Sequence, residues 1–140
     1  MLTGLTILIA EDQALLALDL AEAVEAAGGY VLGPAATVTD GLTFAEQDGI
    51  GGAILDANLL DRDVTPLALR LIERGIPFVL HTGTGLPGAL AQACPELTVI
   101  MKPVSTALVV EALEREIAKR SDVPPQETIW IEGTPPGASD

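Results

Sequence analysis

Five short apolar runs, rich in Ile, Val, Leu and Ala, alternate along this chain with segments whose apolar residues recur at helical spacing. That alternation constrains the fold more than any other feature. Runs that are apolar at nearly every position suit strands covered on both faces, and intervening helices join such strands as parallel neighbours. Leu5–Ala10 is expected as the first buried strand. Asp12 is then expected to cap a helix running to about Ala27, with Leu15, Leu16, Leu20 and Val24 on its apolar face. Gly28-Gly29 ends that helix, because glycine accepts the left-handed conformation of a helix C-terminus.

A weaker second strand, Tyr30–Gly33, is expected to stop at Pro34, and Thr39 to open a short helix toward Gln47. The third strand, Gly52–Asp56, ends in an acid. After the loop Ala57–Val64, Thr65-Pro66 starts a helix as a cap followed by proline. Pro77–His81 reads as the fourth strand, Leu86–Ala93 as a short helix and Thr98–Met101 as the fifth strand. Ser105 caps a last helix that keeps Leu108, Ala112, Leu113 and Ile117 at helical spacing. Right-handed crossovers turn five strands and five helices into an α/β, doubly wound parallel sheet with helices on both faces.

Apolar residues make up 49% of the 140 residues and aromatics only 3%, so burial can offset chain entropy and the core must be aliphatic. One domain is expected over 1–120. The tail over 121–140 is broken by Pro124-Pro125 and Pro135-Pro136-Gly137 and is expected to be flexible, unless Thr128–Ile131 docks as an extra strand. Acidic residues outnumber basic ones 20 to 7, giving a net charge of −13, and direct nucleic-acid binding would need the Lys and Arg that are scarce here. Cys94 is the only cysteine, no basic leader precedes the first strand, and no apolar run reaches membrane-spanning length. A cytoplasmic protein with no membrane partner is expected.

In doubly wound folds ligands gather at the carboxyl ends of the strands. The residues found there are Glu11-Asp12, Asp56, Thr82 and Lys102. Clustered carboxylates repel one another and stay ionised together only beside a cation, for which a hard, oxygen-liganded ion such as Mg²⁺ is the natural candidate. A hydroxyl and an ammonium can take up phosphoryl oxygens that a metal does not reach. The chemistry that fits this set is attack of a carboxylate on phosphorus. Each residue alone has a plainer reading: Asp56 as a turn residue, Glu11-Asp12 as helix-start acids, Thr82 as a loop threonine, Lys102-Pro103 as a strand exit. Their joint occurrence, in order and each at a strand end, favours one site.

At these residues the chain resembles the receiver domains of two-component response regulators, over about Leu5 to Arg120. The resemblance implies a flavodoxin-like sheet in the order 2-1-3-4-5. It implies Asp56 as the phosphoacceptor, Thr82 and Lys102 as contacts to the phosphoryl group, and a Mg²⁺ site formed by Asp12, Asp56 and the Asn58 carbonyl, with Glu11 acting mainly through water. It also implies a sensor histidine kinase or a phosphotransfer protein as partner, and leaves a homodimer open. Such a single-domain protein would serve as relay intermediate, phosphate sink or phosphorylation-dependent binding switch. Gly33-Pro34-Ala35-Ala36 and Pro77–Gly83 further resemble an alphaproteobacterial subfamily named for a Phe-Ala-Thr-Gly-Tyr signature, of which only the Thr82-Gly83 core is kept. Val99 stands where most receivers carry Tyr or Phe, and Val104 where Phe is usual. Acceptance of phosphate is expected to survive both, with signalling moved to another surface such as the helix after Thr82. The competing class is a receiver-like interaction module that needs no phosphate, against which the intact acid set argues.

Other motifs carry less. Gly83–Gly88 spells a dinucleotide fingerprint, but it follows the fourth strand rather than the first, and no acid ends the next strand. His81 alternates with Thr82 and is expected to pack on the opposite face. Cys94 and Trp130 read as packing residues.

Overall fold

All five apolar runs form strands: β1 (Thr6–Ala10), β2 (Tyr30–Ala35), β3 (Ile50–Leu55), β4 (Phe78–Thr82) and β5 (Val99–Met101). The helices between and after them are α1 (Ala14–Ala26), α2 (Val38–Ala45), α3 (Thr65–Glu73), α4 (Gly88–Ala93) and α5 (Thr106–Asp122). This computed structural model describes residues 1–94 and 96–122, with side chains as far as Arg120. The expected tail therefore lies almost wholly outside the described residues.

The strands pair in parallel in the order β2-β1-β3-β4-β5. Strand order reverses between β1 and β3, which opens a crevice at their carboxyl ends, where an α/β sheet binds its ligands. Alternate strand residues feed two cores. On one face Leu8, Leu55 and Leu80 pack with Val38 of α2, Leu67 and Leu71 of α3 and Leu90 of α4. On the other, Ile7, Ile9, Ile54 and Val79 pack with Leu20 and Val24 of α1 and Val109 and Leu113 of α5. Each such side chain contributes about 1.5–3 kcal/mol on burial.

Several boundaries differ from expectation. Asp12 does not cap α1: Gln13 holds the N-cap position, and no side-chain cap bond is made there. The buried stripe of α1 is Ala17, Leu20 and Val24, while Leu15 is 80% exposed. Leu15 lies two residues, about 200° of helical rotation, from Ala17, so the two cannot face one core. In α5 the buried positions are Val109, Val110, Ala112 and Leu113, and Leu108 turns outward. Thr37, not Thr39, caps α2, its Oγ1 accepting from the Asp40 amide at 3.0 Å. Thr65 falls within α3 rather than at its cap, and Asp63 Oδ1 accepts the Thr65 amide at 2.8 Å.

Pro34 does not stop β2. Leu8 pairs with Leu32 but Ala10 with Ala35, so β2 carries a bulge, and as an edge strand it tolerates a proline there. Gly33 makes the bulge with φ of 102°, and a Cβ on it would lie 2.8 Å from the Ile9 carbonyl oxygen. The expected Gly28 at the end of α1 and the Ser105 cap of α5 are both present, the latter accepting the Leu108 amide at 3.3 Å.

Candidate functional site

The acids are positioned by the sheet itself. The Glu11 amide donates to the Ala35 carbonyl at 2.9 Å and the Asp56 amide to that of Ala10 at 2.8 Å, so the ladder carries both residues to the crevice in fixed register. Glu11, Asp12 and Asp56 each offer one carboxylate oxygen, and the three oxygens lie within 4.8 Å of one another. Glu11 and Asp56 are buried. β5 brings in the balancing charge: the Lys102 amide donates to the Thr82 carbonyl at 2.8 Å, and the Lys102 Nζ lies 3.2 Å from both Glu11 Oε1 and Asp56 Oδ2.

Burial drives the Glu11 carboxyl up to about 7. The Gln13 amide opposes this with a hydrogen bond to Oε2 at 3.1 Å, Asp56 adds to the rise, and Lys102 pulls back. Burial works against the Lys102 ammonium, but the two carboxylates outweigh it and hold its pKa above the usual lysine value. One lysine thus does not relieve the whole charge of the cluster.

The opposite wall belongs to β4 and the loop after it. Thr82 is buried, and its Oγ1 accepts the Thr84 amide at 3.1 Å while lying 3.3 Å from Thr84 Oγ1. Asn58 Nδ2 donates to Thr84 Oγ1 at 3.0 Å, closing a chain of contacts from the β3 loop to Thr82. Asp12, Asp56, Asn58, Thr82, Thr84 and Lys102 line an open hollow of about 240 Å³.

Every residue expected at the site from sequence is therefore gathered here: Glu11, Asp12, Asp56, Asn58, Thr82 and Lys102. Two contributors escaped sequence reasoning. Gln13 acts through its main-chain amide, which any residue would supply. Thr84 sits inside the Gly83–Gly88 fingerprint, so the glycines drew attention away from it. That stretch forms the wall beside Thr82 and leads into the six-residue α4. His81 faces away from Thr82, toward the core shared by α1 and α5, and neither ring nitrogen has a partner among the described residues. Burial, then the nearby Lys102, lowers its pKa, with Asp56 acting the other way.

Three carboxylates at this spacing, one of them with its pKa raised by burial, make a donor set of hard oxygens. It fits a divalent cation such as Mg²⁺. No helix among the described residues is long and apolar enough to cross a membrane.

No protein-family model matches the chain, and no curated protein matches it. Solved structures do. A CheY-like response regulator receiver domain protein from Methanospirillum hungatei JF-1 superposes with a TM-score of 0.73 at 23% identity, covering 84% of this chain and 96% of that one. The receiver domain of the sensor histidine kinase PA1611 from Pseudomonas aeruginosa PAO1, described with a magnesium ion in its active site cleft, gives 0.70 at 21%, covering 83% and 99%. SdrG from Sphingomonas melonis Fr1 gives 0.65 at 33% identity, covering 79% of this chain and 96% of SdrG.

Proposed function

We propose that this chain, which belongs by fold with the response regulator receiver domains, accepts a phosphoryl group on Asp56 in a Mg²⁺-dependent reaction. The observation that carries this reading is the cluster itself: Asp56 beside Glu11 and Asp12, with the Lys102 ammonium 3.2 Å from the Asp56 carboxylate. A carboxylate whose neighbours are two acids and one cation has little use as a turn or cap residue. It suits a nucleophile that must take on further negative charge.

Asp12, Asp56 and the Asn58 main-chain carbonyl would hold the ion, with Glu11 acting through water. Once bound, Mg²⁺ supplies charge neutralisation across the carboxylates and the phosphoryl oxygens. The protein's own groups do the rest. An Asp56 carboxylate oxygen forms the new bond to phosphorus as the bond to the donor breaks, the donor's histidine nitrogen leaving with the electron pair. Lys102 stays beside Asp56 and takes a phosphoryl oxygen. The Thr82 hydroxyl, now engaged with Thr84, turns to another. These are positioning and electrostatic contributions, which dominate phosphoryl transfer.

The donor in this reading is a sensor histidine kinase or a phosphotransfer protein, and the phosphorylated chain acts as relay intermediate, sink or switch. The subfamily reading rests on Gly33-Pro34-Ala35-Ala36, now seen as the bulge of β2, and on Thr82-Gly83. Incubation with Mg²⁺ and a small acyl phosphate or a phosphorylated kinase tests the assignment. The wild-type chain should be labelled and Asp56→Asn should not. Labelling of Asp56→Asn at the wild-type rate would reject the site.

A further inference from the structure

The loop over 57–64 carries Asn58 to the site, and it is folded back on itself. Asn58 and Asp63 form an antiparallel bridge, the Leu59 amide donates to the Arg62 carbonyl at 3.0 Å, and the Val64 amide donates to that of Ala57 at 2.8 Å. Ala57, Leu59 and Val64 are buried, so the base of the loop is anchored in the core. Its tip, Leu60-Asp61, reaches the junction between β2 and α2. There the Leu60 amide donates to the Ala36 carbonyl at 3.0 Å. The Asp61 carboxylate accepts the Val38 amide at 2.7 Å, the Thr39 amide at 3.2 Å and the Thr39 hydroxyl at 3.1 Å. Arg62 Nε, 3.9 Å from the same carboxylate, adds only a loose ion pair.

That junction also holds the other side of the site. The Ala35 carbonyl accepts the Glu11 amide at 2.9 Å. The segment bearing Glu11 and Asp12 and the loop bearing Asn58 are therefore tied to adjacent residues, Ala35 and Ala36. Three of the four loop-to-junction hydrogen bonds end on Asp61.

We infer that Asp61 is a positioning residue for the metal site: by clasping the first turn of α2 it fixes Asn58 relative to Asp12, and so raises Mg²⁺ affinity from outside the Glu11-Asp12-Asp56 cluster. A local helix cap is not what it adds, because α2 has its own in Thr37, whose Oγ1 accepts the Asp40 amide at 3.0 Å. Asp61 stands 22 residues along the chain from Thr39, so its bonds join two segments that are otherwise free to shift. The hydrogen bond from the Val38 amide is the main reason that the Asp61 carboxyl sits below the usual carboxylate range, and the clasp stays charged at neutral pH. This inference rests on the proposed Mg²⁺ site at Asp12, Asp56 and Asn58.

Titration of the full chain with Mg²⁺ alone, followed by the amide NMR shifts of Asp12 and Asp56, tests it. Asp61→Ala should bind Mg²⁺ about tenfold more weakly than wild type, the lower end of what loss of an outer partner costs a metal site. Asp61→Asn removes the charge but keeps an acceptor for the Val38 amide, and it should recover most of that affinity. Thr37→Ala removes a cap from the same helix; it should lower stability in urea and leave Mg²⁺ affinity unchanged. Equal losses in Asp61→Ala and Asp61→Asn overturn the clasp, because the missing charge alone would then account for them. Wild-type affinity in Asp61→Ala overturns it too, as does a loss of equal size in Thr37→Ala, and either result leaves the metal site standing. A wild type that takes up no Mg²⁺ overturns the metal site itself and this role with it.

Discussion

The Lys102 ammonium lies 3.2 Å from the Asp56 carboxylate and equally close to Glu11, so the cation directly after β5 already spans two of the three acids. Lys102→Ala removes that bridge. The metal-free variant should melt at a lower temperature than wild type, because two buried carboxylates lose their counter-charge. Mg²⁺ should still bind and should raise the melting temperature of the variant by more than that of wild type, since it then relieves a larger repulsion. The phosphorylated form should fail to reach the wild-type activated conformation, as read by NMR shifts in α4. Loss of Mg²⁺ binding would show that Lys102 supports the metal ligands rather than the phosphoryl group.

Glu11→Gln probes the opposite sign. Folding raises the Glu11 pKa from 4.5 to about 7, so between these values the native state binds more protons than the unfolded one. Its contribution to stability therefore falls as pH rises through that window and levels off above it. Metal-free Glu11→Gln, which has no charge to bury, should match wild type near pH 4.5 and exceed it by pH 8 in urea unfolding. With Mg²⁺ the order should change, because a group that orients the ion's shell is missing. A loss of about ten- to hundredfold in affinity is expected. A variant less stable than wild type at pH 8 without metal would contradict the account of the cluster.

The sheet was legible because buried parallel strands must be apolar on both faces, and Leu5–Ala10 and Gly52–Asp56 advertise this in any register. The site was legible for a related reason: polar residues directly after such runs stand out, as Glu11, Asp56 and Thr82 do. Helix faces were harder. α1 offers Leu15, Leu16, Leu18 and Leu20 within six residues, and periodicity cannot say which two turn inward until packing against β1 and α5 is known. Caps failed likewise, since Asp12 and Thr65 have the right chemistry but each sits one residue from the N-cap position, which Gln13 and Val64 hold. Thr84 was missed because a hydrogen-bond relay leaves no pattern in sequence.

The α1 register gives a direct comparison between two leucines of one helix. Leu20 is 1% exposed and Leu15 80%. Leu20→Ala should cost about 2–5 kcal/mol by chemical denaturation, whereas Leu15→Ser should change stability by less than about 0.5 kcal/mol. Comparable losses at the two positions would mean that α1 is rotated on the sheet.

His81 sets the last expectation, since it is a buried imidazole with no partner for either ring nitrogen among the described residues. Burial and the nearby Lys102 lower its pKa below 6.5, so below that pH the unfolded chain takes up a proton that the native state resists. Stability contributed by neutral His81 is fully present above pH 6.5 and is lost as pH falls through the depressed folded value. Glu11 works in the opposite direction over an overlapping range, so wild type alone cannot isolate the effect. His81→Leu can, because it removes one titration and leaves the other. Urea unfolding of both proteins at pH 7.5 and pH 5.5 should show the advantage of the leucine variant widening at the lower pH. A gap that stays constant would mean that His81 finds a hydrogen-bond partner and charges without penalty.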